Sequence, residues 1–137
     1  MARMEQIPAL QSAQKTILVV DDAPANLKLV SRILDDHYNV LTANDGKEAL
    51  QQSKDFKDEI YLLLSDFEMP GTSGIDLATE ITRHRPKIKI VLMSGYNEEM
   101  LVLNDGWHFL AKPFIPSQLR TLIGGLISPD VKSKLAA

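Results

Sequence analysis

The 137-residue chain contains no cysteine. A disulfide framework, a thiolate zinc site and a cysteine nucleophile are therefore excluded, and a reducing compartment such as the cytoplasm is expected. Aromatic residues make up only 6% of the chain, with a single tryptophan. No apolar run approaches the length of a membrane span, so no membrane association is expected. Residues 1–13 carry Arg3 and Glu5 and lack the apolar stretch of a signal peptide. A basic stripe is also missing. With 15 basic against 18 acidic residues the formal charge is −3, which weighs against a nucleic-acid binder. The one dense basic cluster, Arg83-His84-Arg85 with Lys87 and Lys89, is read as a solvated turn around Pro86. Nor is there a glycine-rich phosphate loop, because the first apolar run meets Asp21-Asp22-Ala23-Pro24 instead of Gly-x-Gly-x-x-Gly.

What is present is the composition of a folded domain, 45% hydrophobic and 24% charged. The length suits one domain and is too short for a catalytic domain plus an output domain of ordinary size. The expected organisation is a tail or extra helix over 1–14, one domain over 15–127 and a C-terminal tail over 128–137.

From Lys15 onward, apolar runs alternate with amphipathic stretches five times. Thr16-Ile17-Leu18-Val19-Val20 is continuous and β-branched, as in a strand buried on both faces. Pro24 suits an early helical position, with Leu27, Val30 and Leu34 on one face. Further strands are predicted over 38–43, 61–65, 88–93 and 107–111. Helices are predicted over 47–53, 75–83 and 98–103, and from about Pro116. In the last helix Gly124-Gly125 costs about 1 kcal/mol per glycine relative to alanine, so fraying or termination is expected there. Strands alternating with helices predict an α/β fold, a doubly wound five-stranded parallel sheet with helices on both faces. Ligands of such sheets bind outside the carboxyl ends of the strands, where the strand order switches.

The residues that stop the strands are therefore the informative ones: Asp21-Asp22, Asp66, Ser94 and Lys112. Singly, each has a structural explanation, as a helix cap, a turn opener, a loop hydroxyl or a surface lysine. A parallel sheet brings them all to one edge. Two unit charges about 4 Å apart repel by roughly 4 kcal/mol at an effective dielectric of about 20. Three clustered carboxylates must then protonate or hold a cation. Oxygen donors without histidine or cysteine favour Mg²⁺ over zinc. Lys112 adds a point charge suited to phosphate, and Ser94 adds a hydroxyl. The site suits an anion that arrives with a metal.

These residues resemble the two-component response-regulator receiver domain over about 15–127. The resemblance rests on Ile17-Leu18-Val19-Val20-Asp21-Asp22, Asp66-Phe67-Glu68-Met69-Pro70-Gly71, Ser94-Gly95 and Lys112-Pro113-Phe114, in the family's order and spacing. It implies a flavodoxin-like (βα)5 fold with Asp66 as phosphoryl acceptor. Asp21, Asp22, Asp66 and the Glu68 backbone carbonyl would hold Mg²⁺, and Ser94, Gly95 and Lys112 would contact the phosphoryl group. It further implies a cis Lys112-Pro113 bond and a switch formed by Ser94 and Phe109, a position otherwise read as ordinary core. Glu68 and Tyr96 would tune dephosphorylation. The phosphoryl donor would be a sensor histidine kinase or a histidine phosphotransfer protein, and the signal would pass to an unidentified downstream protein.

One departure from the family pattern concerns Ser94 to Lys112, about one helical turn shorter than usual. It shortens the fourth helix, and the dimer that many relatives form through that region is not expected here. Ser94-Gly95-Tyr96, Asp22-Ala23-Pro24-Ala25-Asn26 and the segment from Phe109 to Phe114 look most like receivers attached to hybrid histidine kinases. The expected role is a phosphoacceptor switch and not an enzyme acting on an external substrate. The alternative of a small-molecule phosphotransferase or phosphatase is weaker. Glu68 could supply a second acid, but the Asp-x-Asp pattern is missing and no cap domain fits in the length. A degenerate scaffold is disfavoured because every acceptor residue is present.

Overall fold

The computed structural model describes residues 14–95 and 106–127. The predicted helix over 98–103, and with it the shortened fourth helix, lies outside the described residues, as do Tyr96 and most of the two expected tails.

Five parallel strands form one sheet in the order β2-β1-β3-β4-β5. They are β1 (Thr16–Val20), β2 (Asn39–Ala43), β3 (Ile60–Asp66), β4 (Lys89–Ser94) and β5 (Trp107–Ala111). The described helices are α1 (Pro24–Leu34), α2 (Gly46–Asp55), α3 (Gly74–His84) and α4 (Pro116–Ile127). From β1 the chain steps out to the edge at β2 and returns to the other side of β1 at β3. The strand order therefore reverses between β1 and β3, which places the switch point beside Asp21, Asp22 and Asp66.

Two apolar layers fix this arrangement. Alternate strand residues point to opposite faces, and the central strands are apolar on both. Ile17, Val19, Leu62, Leu64, Val91 and Met93 pack with Leu27, Val30 and Ile33 of α1 and with Leu119, Ile123 and Ile127 of α4. Leu18, Val20, Leu63, Ile90 and Leu92 pack on the other face with Ala49 of α2 and with Leu77, Ala78 and Ile81 of α3. Burying each such side chain is worth about 1.5–3 kcal/mol. A register slip would drive one layer into the other's place.

The same burial explains a departure from expectation in α4. The helix runs through Gly124 and Gly125 to Ile127 without ending at the pair. Leu119, Ile123 and Ile127 repeat every fourth residue on the buried face, and anchoring both sides of the glycines outweighs their propensity cost.

The basic cluster also differs from a solvated turn. Arg83 and His84 are exposed beside Glu80, but Arg85 is turned inward. Its guanidinium donates to Ser53 Oγ at 3.0 Å, Ser53 O at 2.9 Å, Phe56 O at 2.8 Å and Asp58 O at 2.9 Å. Carbonyls at a helix C-terminus lack intrahelical partners, and the five donors of an arginine suit several at once. Arg85, the C-cap residue of α3, thereby ties the end of α3 to the end of α2. Arg85→Ala is expected to lower stability by about 2 kcal/mol, read as a lower urea midpoint at unchanged slope. Arg85→Lys is expected to recover little, because one ammonium cannot span those acceptors.

Candidate phosphoacceptor site

The acidic pair follows β1 directly. Asp21 is 2% exposed, and its Oδ1 accepts from Ala23 N at 2.9 Å. α1 starts on Pro24 with Ala23 as N-cap and no side-chain cap. Asp22 therefore does not cap this helix, and it stands exposed at the edge of the site.

Asp66 is the last residue of β3. Oxygens of Asp21, Asp22 and Asp66 all lie within 4.8 Å of one another. Lys112 reaches them from the end of β5, its Nζ 3.0 Å from Asp66 Oδ1 and 3.9 Å from Asp21 Oδ2. The Lys112-Pro113 bond is cis, as the resemblance implied. Lys112 N donates to Ser94 O at 2.8 Å, which continues the β4–β5 pairing one residue past Ala111. Ser94 is buried at the end of β4, and the exposed Gly95 has nothing within 4 Å of where a Cβ would lie. Glu68 is exposed in the loop after β3. Phe109 is half-buried, pairs in register with Leu92 and packs on the α2–α3 layer. Asp21, Asp22, Asp66 and Lys112 thus converge, with Ser94 and Gly95 at the adjoining strand end.

Two further residues shape the backbone at Asp66, and neither is among the expected site residues. Ser65 Oγ donates to Asp66 O at 2.9 Å. Gly74, the first residue of α3, donates from its N–H to Phe67 O at 2.8 Å. A Cβ on Gly74 would sit 2.3 Å from Asp66 O and 3.0 Å from Phe67 Cα. α3 starts this close to Asp66 because residue 74 has no side chain. Only its place in Pro70-Gly71-Thr72-Ser73-Gly74 hinted at it, and that composition signals a loop without distinguishing its two glycines.

Burial pushes the Asp21 carboxyl above its usual range, and the charge of Asp66 adds to the effect. The Ala23 N–H, Lys112 and Asn26 act the other way without reversing it. A carboxyl whose folded pKa is raised binds its proton more tightly when folded. Its favourable contribution is complete below the unfolded value near 3.9 and is lost as pH rises through the folded value. Asp21→Asn is accordingly expected to melt above the wild type at neutral pH in chelator. That advantage should vanish in acid and shrink when Mg²⁺ is added. Thermal melts at several pH values check this; an Asn variant that melts lower in chelator at neutral pH would contradict it.

The donor set fits a hard divalent cation. It consists of carboxylate oxygens alone, and the buried Oδ2 of Asp21 has no hydrogen-bond partner. Such an orphan oxygen is costly unless a cation or water meets it. Beside the cluster, a cleft of about 330 Å³ is lined by residues that include Asp21, Asn26, Leu29, Lys112 and Phe114. Among the described residues no helix is long and apolar enough to cross a membrane.

The response regulator receiver domain model matches residues 17–124. The chemotaxis protein CheY of Thermotoga maritima is 32% identical over 111 residues, which is 77% of this chain and 91% of that protein. A CheY-like receiver domain protein from Methanospirillum hungatei superposes with a TM-score of 0.77 at 28% identity, covering 88% of this chain and 99% of the other. The receiver domain of the hybrid histidine kinase CckA superposes with a TM-score of 0.73 at 31% identity, covering 82% and 99%. Other curated relatives are far longer, and this chain spans 23, 17 and 13% of three of them. The family match over most of the chain, the strand order and the acidic cluster facing a lysine agree: this chain belongs to the response regulator receiver domain family.

Proposed function

We propose that the chain is a phosphoacceptor switch of a two-component or phosphorelay system, with Asp66 as the residue that takes the phosphoryl group. The observation that carries this reading is the Asp66 carboxylate set between two further aspartates and Lys112 Nζ at 3.0 Å. An Asp66 oxygen forms the new P–O bond while the P–N bond to the donor's phosphohistidine breaks and its electron pair returns to the imidazole. Asp21, Asp22 and Asp66 would hold Mg²⁺ together with the Glu68 carbonyl. When bound, the ion neutralises charge on the transferring group. Lys112 exchanges its contact with Asp66 for one to a phosphoryl oxygen, and Ser94 and the Gly95 backbone receive the others.

The switch in this reading joins Ser94 and Phe109, with Ser94 moving toward the phosphoryl group and the Phe109 ring following. Glu68 and Tyr96 tune dephosphorylation. The unit that does this spans 15–127. The chain modifies its own Asp66 and has no external substrate. The donor is a sensor histidine kinase or histidine phosphotransfer protein in the cytoplasm, and the signal leaves through a further protein. Leu29 and Ile115, the exposed large hydrophobics among the described residues, stand on the α1 and β5–α4 sides of the site and support docking of a donor there.

Incubation with acetyl phosphate and Mg²⁺, read by intact mass, tests the proposal. One phosphoryl adduct is expected, and none once EDTA is present. No adduct with Mg²⁺, or steady release of phosphate from many small esters, would overturn it.

A further inference from the structure

A second cavity lies at the other end of the sheet from Asp66. It has a volume of about 580 Å³ and is lined by Thr79 and Thr82 of α3, by Pro86, Lys87, Ile88 and Lys89 leading into β4, and by Gly106 and Trp107 at the start of β5. Nothing in the phosphoacceptor chemistry uses these residues. We propose that this cavity binds a small anion carried on a planar ring, the chemistry of a nucleoside monophosphate.

Three properties of the lining point to such a ligand. The first is charge. Lys87 lines the cavity and is in no ion pair with a described residue, whereas Lys89, set between Ile88 and Ile90 of the α2–α3 layer, turns toward His108 on the other face. An ammonium is a point charge suited to a phosphate or carboxylate. The second is a planar wall. Trp107 is half-buried and packs in part on the α2–α3 layer, and it borders the cavity as well. An indole held on one side offers a stacking surface to a planar group.

The third is a hydroxyl without a partner. Thr79 and Thr82 are one turn apart on α3. Thr79 Oγ1 donates to Ile75 O at 2.9 Å, whereas Thr82 Oγ1 is buried with no hydrogen bond. An unpaired buried hydroxyl is costly. Threonine in a helix has two accessible χ1 rotamers. A turn about χ1 exchanges the Thr82 methyl with its hydroxyl, and a polar group in the cavity then supplies the missing partner. The volume lies within the range of small-ligand sites, about 300–1,000 Å³. A concave wall with one ring and one cation favours a compact ligand over an extended acidic peptide.

The proposal is independent of the phosphoacceptor reading, and its test is arranged to stay so. Trp107 is the only tryptophan in the chain, so its indole N–H gives one assignable NMR resonance that reports on this cavity. The full chain is titrated with AMP in EDTA, both as wild type and as Asp66→Asn. A saturable shift of the indole resonance is expected in both. Lys87→Gln should weaken it about tenfold, and Lys89→Gln should leave it unchanged. Thr82→Val should weaken it less, with the remaining amide spectrum preserved in each variant. Competition by inorganic phosphate supports the anion subsite. No saturable shift overturns the proposal, as does an undiminished shift in Lys87→Gln. An equal response to adenosine, or a response to a short acidic peptide and not to AMP, overturns it too.

Discussion

Asp66→Asn takes no phosphoryl group from acetyl phosphate and Mg²⁺ under conditions in which the wild type takes one. The substitution keeps the shape of the side chain and removes the nucleophilic oxygen's charge. It also withdraws one of the three carboxylates that converge within 4.8 Å, so Mg²⁺ affinity should fall along with the adduct. The fold should survive, because Asp66 contributes no apolar packing and its backbone carbonyl keeps the Ser65 hydroxyl bond at 2.9 Å. Losing the 3.0 Å contact to Lys112 is offset by relieving repulsion on the buried Asp21. Intact mass with peptide mapping reads the result. An adduct that persists on Asp21 or Asp22 would refute Asp66 as the acceptor.

Gly74→Ala is expected to be the most damaging single-methyl addition at any of the described glycines. The new Cβ would meet Asp66 O at 2.3 Å and Phe67 O at 3.1 Å. Both are backbone atoms in a strand end that pairs with β4 through Phe67 N and Met93 O at 2.8 Å. No rotamer change relieves such a contact, so α3 must shift or β3 must bend. Overpacking of this kind costs about 3 kcal/mol, and the protein that still folds should phosphorylate slowly because its acceptor is displaced. Gly124→Ala is the control. Nothing lies within 4 Å of the Cβ position there, so the helix should gain up to about 1 kcal/mol. Urea unfolding of the two variants should thus move in opposite directions. A neutral Gly74→Ala would contradict the close approach of α3 to the acceptor.

The strands were readable because a parallel sheet buries both faces, and runs such as Ile17 to Val20 carry that demand in adjacent letters. The converging site was readable for a topological reason. Once five parallel strands are inferred, their C-terminal residues must share an edge, and Asp21, Asp22, Asp66, Ser94 and Lys112 are those residues. What escaped depended on distant partners. Arg85 bonds to residues 27, 29 and 32 positions away, and no local pattern separates such an arginine from a solvated one. Gly74 looks like any loop glycine until the fold presses it on Asp66. The helix ends were also blurred. α2 extends from Gly46 to Asp55 instead of 47–53 because Asp45 accepts from Glu48 N at 2.8 Å and Glu48 in turn accepts from Asn44 N at 2.7 Å. That pair is a capping box in all but its last donor, which is Asn44 N and not the N–H of the N-cap Asp45.

Because all five strands run the same way, the molecule has an electrical front. Asp21, Asp22 and Asp66 gather there against Lys112 alone, while at the strand starts behind Lys15 and Lys89 are offset by Asp58 and Glu59. A cationic rim on a partner would be steered to the front before any contact forms. The charge change on phosphorylation is small by comparison. One carboxylate charge gives way to about two on the phosphoryl group, beside an ion carrying two of the opposite sign. At a distance of one Debye length, about 8 Å in physiological salt, the two states look nearly alike. A listener that distinguishes them must therefore read the contour of the surface, not its field.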